Sequence, residues 1–115
     1  MGVTLGVGAA SADEMWAVFE ARCLVPYEHL VLPDTRGLTR DGDIWTGAAF
    51  PLTLAPGSCA VTGGMPDDLA IRLASRDEYV RVGAAIWQST TWREPRIEVE
   101  ALADGYLVRE TDLES

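Results

Sequence analysis

The chain has 115 residues, 48% of them hydrophobic and 23% charged, which is the composition of a globular rather than a disordered protein and allows one domain, residues 1–115, around a sizeable core. Its 18 acidic residues outnumber 9 basic ones, all arginine, for a formal charge of −9. That balance excludes sequence-general nucleic-acid binding, which needs clustered cations against phosphate, and favours a basic partner.

In chain order, Val3 to Gly8 is a short apolar run predicted as a strand. Gly6-Val7-Gly8 supplies two glycines of a dinucleotide fingerprint, but Ser11 stands at the third position and no convincing βαβ unit follows. No cofactor is expected. Ser11-Ala12-Asp13-Glu14 has the capping-box form and predicts a helix to about Leu24, closed by Pro26. Ala12, Met15, Trp16, Phe19 and Cys23 share its inner face. Two cysteines, Cys23 and Cys59, are too few for a disulfide scaffold and lack zinc spacing, so Cys23 is expected as a buried reduced thiol. Ala10-Ser11-Ala12 looks like a signal-peptidase site without the basic n-region it requires, since the first basic residue is Arg22. No apolar run approaches the ~20 residues that span a bilayer. The expectation is a cytoplasmic protein with no membrane partner.

Leu30-Val31-Leu32 before Pro33 predicts a brief strand, and Asp34 to Asp43 a polar loop. Asp41-Gly42-Asp43 lacks the EF-hand spacing, because Trp45 and Leu52 occupy the fifth and twelfth positions, so no metal site is assigned. Ile44 to Phe50 predicts a strand at an edge or bulge, given Gly47 and Pro51. Leu52–Leu54 and Cys59–Thr62 predict a hairpin about Ala55-Pro56-Gly57. After a loop at Gly63–Pro66, Leu69 to Leu73 alternates in the manner of a strand.

Ser75-Arg76-Asp77-Glu78 is a second capping box, followed by Tyr79, Val82, Ile86 and Trp87 at helical spacing and ended by Pro95. Arg96 to Glu110 then predicts a hairpin about Asp104-Gly105, a type I′ signal that sets Glu100 opposite Arg109. The fold class expected is α+β: two helices packed on a mainly antiparallel sheet with a C-terminal β-hairpin. A half-open β-barrel with two helices is the alternative. The two capped helices begin 64 residues apart, but little else matches between them, and no duplication is inferred.

For function, the residues from Glu94 onward carry seven acids against Arg96 and Arg109. With Trp92 as an anchor, Glu98, Glu100, Asp112 and Glu114 form the candidate binding set for a basic protein partner. The reading is a non-catalytic acidic protein-binding module, such as an inhibitor, immunity factor, adaptor or assembly subunit. The alternative is a small enzyme or small-molecule binder with an apolar pocket, using Tyr27, Glu28, His29 or Asp43. Cys23 and His29 stand six residues apart across a proline, which does not bring them into contact, and no catalytic residue is assigned.

Overall fold

The structure is a computed structural model and describes residues 12–76, 78–90 and 96–111. Helix α1 covers residues 12–28 and precedes four strands: β1 (Thr39–Asp41), β2 (Ile44–Thr46), β3 (Leu52–Ala55) and β4 (Ser58–Thr62). A one-turn helix, α2 (Leu69–Arg72), precedes four more: β5 (Tyr79–Arg81), β6 (Ile86–Ser89), β7 (Arg96–Leu102) and β8 (Gly105–Thr111). All pair antiparallel in one eight-stranded sheet of order β1-β2-β3-β4-β8-β7-β6-β5. Two four-stranded meanders therefore meet where β4 pairs with β8. The fold is α+β as expected, and the sheet stays open rather than closing into a barrel.

The register aligns the inward side chains in rows. Trp45, Leu52, Val61, Tyr106 and Ala101 form one row across five strands, and Leu54, Cys59, Val108, Val99 and Trp87 form the next. Met15, Trp16, Phe19, Cys23 and Leu24 of α1 join the same buried cluster. Trp16 meets Tyr106 edge-on at 5.2 Å between centroids, and Phe19 lies 5.4 Å from it. Tyr106 in turn accepts the Asp67 N–H at 2.7 Å, which pins the approach to α2 on this face. Among the described residues, no helix is long and apolar enough to cross a membrane.

The first helix does not stop at Pro26. A π turn at Glu20–Leu24 interrupts it, and Val25–Glu28 resumes with proline in its first turn, where no N–H is needed. The carbonyl of Arg22, four residues before Pro26, is thereby released and accepts the Asp34 N–H at 2.9 Å. Cys23, on the π turn, is disulfide-bonded to Cys59 of β4 across 36 residues. The expected reduced thiol is thus corrected: folding places the two Cα atoms 5.5 Å apart, a proximity invisible in sequence.

The predicted second helix is absent among the described residues of its span. Tyr79–Arg81 and Ile86–Ser89 are strands, paired to each other and to β7. Tyr79, Val80, Val82, Ile86 and Trp87 are aromatic or β-branched, and Gly83 breaks the run, so strand pairing prevails over a helical stripe. Leu69–Arg72 is the converse case, predicted as a strand and found as a helical turn because Asp68 caps it by accepting the Ala70 N–H at 3.0 Å. The start of the chain, including the predicted strand at Val3–Gly8 and the cap at Ser11, lies outside the described residues.

The C-terminal hairpin is present with a different register. Leu102 pairs with Gly105 and Glu98 with Arg109, so the two-residue loop is Ala103-Asp104 rather than Asp104-Gly105. Neither loop residue has the positive φ that a type I′ turn requires. Gly105 is needed for another reason: a Cβ there meets the Val61 carbonyl oxygen at 1.9 Å. The register moves in a step of two, so every side chain keeps its expected face.

Candidate functional site

The C-terminus of α1 carries an unusual cap. Leu30 N–H donates to the Tyr27 carbonyl at 3.2 Å and Val31 N–H to the Pro26 carbonyl at 2.9 Å, the bond pattern of a Schellman motif. The residue that must turn left-handed in such a cap is ordinarily glycine, yet here it is Leu30, at φ 59°. A branched, non-glycine residue in that region costs on the order of 1 kcal/mol or more. The turn throws three consecutive apolar side chains outward: Leu30, Val31 and Leu32 are 55%, 59% and 86% exposed. The brief strand expected here is not formed; the segment is irregular, followed by Pro33.

Beside this run lies a cleft of about 260 Å³ between the end of α1, the β3–β4 turn and the end of β8. Its apolar walls include Val31, Leu32, Pro33, Leu54 and Pro56. Pro56-Gly57 makes the turn tight, with Gly57 at φ 79°, as type II geometry asks of its second central residue. Glu110 N–H donates to the Gly57 carbonyl at 2.8 Å, fixing the end of β8 against this turn. Tyr27, Ser58 and Glu110 bring polar side chains to it. Burial, and then the charge of Glu110, push the Tyr27 phenol up to about 12, further from ionisation than an ordinary tyrosine.

A second cleft of about 320 Å³ opens on the other side of the same turn and shares Leu54, Ala55 and Pro56. Arg40, Asp43 and Trp45 line it, with the Arg40 guanidinium 5.9 Å from the Trp45 ring centroid. Asp43, a sequence candidate, is therefore beside the β3–β4 turn, as is Tyr27. Glu28 is committed elsewhere: it accepts from Arg76 at 2.9 Å and from the Tyr79 hydroxyl at 2.8 Å, while Glu20 accepts from Arg76 at 2.6 Å. Burial works against the charge on Arg76, and the hydrogen bonds to Glu28 and Glu20 outweigh it, raising its pKa. His29 is exposed, with Nδ1 2.9 Å from the Val25 carbonyl oxygen, and the disulfide leaves Cys23 no thiol to activate.

The acidic hairpin residues occupy the sheet face turned away from the helices. Arg109 bridges both of them, at 3.2 Å to Glu98 and 2.8 Å to Glu100, and all three side chains are about two-thirds or more buried, at 32%, 20% and 29% exposure in that order. Trp92, Asp112 and Glu114 lie outside the described residues. Among the described residues no group of three or more His, Cys, Asp or Glu is arranged to hold a metal ion. Sequence reasoning missed Leu30, Val31, Leu32 and Glu110 as site residues. The available signal was a leucine, not a glycine, just past the helix end, with a proline soon after. Compared with known proteins, the chain matches no family model, no curated protein and no solved structure.

Proposed function

We propose that this protein is a non-catalytic binding module that grips a basic protein partner at the end of α1. The observation that carries the reading is the contiguous exposure of Leu30, Val31 and Leu32, held outward by a left-handed leucine beside an open cleft. Exposed apolar surface of this kind is removed from water when a partner covers it, at roughly 25 cal/mol per Å². The clefts, at about 260 and 320 Å³, sit at the floor of the ~300–1,000 Å³ range of small-molecule sites, which favours side chains of a protein over a metabolite.

The formal charge of −9 supports a basic partner through long-range attraction. Glu98 and Glu100 contribute less to that field than their count implies, because Arg109 neutralises one of the two charges. Their role is a rim that adjusts the association rate. The Cys23–Cys59 disulfide supports an oxidising compartment, where such bonds persist, over the cytoplasm expected from sequence.

The test is retention of a protein from extract of the native host on immobilised wild type, Val31→Asp/Leu32→Asp and Glu98→Gln/Glu100→Gln. The reading predicts one retained protein, lost with the first variant and kept with the second. Retention unaffected by Val31→Asp/Leu32→Asp, with both variants melting like wild type, contradicts it.

A further inference from the structure

We infer that the cleft beside Tyr27 receives one apolar side chain of a partner peptide while Glu110 holds an arginine or lysine adjacent to it in that peptide. The inference rests on the binding-module reading and adds the chemistry of the segment bound. Three observations carry it. The cavity, about 260 Å³, has room for one large side chain but not for a folded element. Its walls are apolar on two sides: Val31 and Leu32 from the helix cap, Leu54 and Pro56 from the β3–β4 hairpin. Glu110 is the one charged residue that lines it, it is exposed, and among the described residues it forms no ion pair.

The arrangement is asymmetric in a useful way. An apolar side chain entering between Leu32 and Leu54 carries its neighbouring residue to the rim where Glu110 stands. A cation there gains a charge-assisted hydrogen bond, and an anion meets like charge. Tyr27, a neutral phenol, offers a hydroxyl without adding a second charge. A second copy of this chain is a poor occupant, since it brings a charge of −9 against −9.

The probe is a panel of labelled eight-residue peptides, glycine and serine except for a central Leu or Phe followed by Arg, Ala or Glu. Affinity is read by fluorescence polarisation against wild type, Glu110→Gln and Leu32→Asp, each checked for an unchanged melting temperature. Wild type is expected to bind the Leu-Arg and Phe-Arg peptides about tenfold more tightly than their Glu counterparts, roughly the 1.4 kcal/mol of one charge contact. Glu110→Gln is expected to abolish that preference and leave the Ala peptides unaffected, while Leu32→Asp weakens every peptide. A preference that survives Glu110→Gln overturns the charge pairing but leaves the binding module standing, because Leu32→Asp still weakens all binding. No affinity for any peptide overturns the inference, with extract retention then deciding the broader reading. Self-association in sedimentation that Leu32→Asp abolishes, without peptide binding, makes a second copy the occupant and overturns it equally.

Discussion

The two halves of the sheet share one plan, a helix followed by a four-stranded meander, yet they finish their surfaces differently. In the second half, β7 and β8 are long and pair over seven positions, and Glu98, Arg109 and Glu100 satisfy one another on the outer face. In the first half, β1 and β2 are three residues each and mostly exposed, and the helix that precedes them ends in three outward apolar side chains. The lesson is a division of labour. Charge and strand pairing complete the outer face of β7 and β8 within the molecule, with Ile71, Val80 and Val82 exposed elsewhere in that half, whereas the first half ends its helix in a contiguous apolar run and a strained cap that nothing within the described chain covers.

The largest test of this contrast is at the seam between the halves. Gly105→Ala places a methyl group where the Val61 carbonyl stands, at 1.9 Å, and the clash is with backbone. A loss of about 4 kcal/mol or more is expected, of the size reserved for severe steric or burial defects, and is read from the denaturant midpoint. Removing the disulfide with Cys23→Ala/Cys59→Ala frees α1 from β4 over a separation of 36 residues; the chain-entropy estimate is a loss of about 3–4 kcal/mol. The same treatment with reductant should lower wild-type stability and leave the double variant unchanged.

Next comes the ion cluster that ties α1 to the start of the second meander. Arg76→Met leaves Glu28, 11% exposed, without its cation, and a loss of about 2–3 kcal/mol is expected in urea unfolding. Glu28→Gln/Arg76→Met should recover part of that loss, since no charge then remains buried without a partner. The smallest effect has the opposite sign. Leu30→Gly relieves the left-handed leucine and should stabilise the protein by about 0.5–1 kcal/mol while weakening partner retention. A destabilised Leu30→Gly with full retention would show a leucine kept for packing.

How much of this was legible follows from where each signal resides. The β3–β4 hairpin was readable because Pro56-Gly57 is local turn chemistry, and the β7–β8 hairpin because apolar residues alternate on both sides of Asp104-Gly105, although the loop itself is Ala103-Asp104. The stretch after Ser75 was not, because Tyr79, Val82, Ile86 and Trp87 fit helical spacing, while strand pairing with β7 is a long-range contact. Gly83 was the local warning. For the site, Tyr27 and Asp43 were named among alternatives, but Leu30–Leu32 read as a brief strand, since apolar composition alone does not say which side faces water. Glu110 entered only as the end of the hairpin, and its place at the cleft depends on the β3–β4 turn lying next to β8.

The central claim is that partner contact centres on the exposed run at the end of α1, with Glu110 beside it, rather than on the outer strands of the second half. The direct measurement places a photo-crosslinking amino acid at position 32 and, separately, at position 80, where Val80 is 47% exposed on the outer strand of the second meander. Both sites are solvent-facing, so incorporation leaves the fold intact and the comparison turns on contact alone. After irradiation in extract of the native host, the account predicts a single discrete adduct from position 32 and none from position 80. Adducts from position 80 with none from position 32 would contradict it.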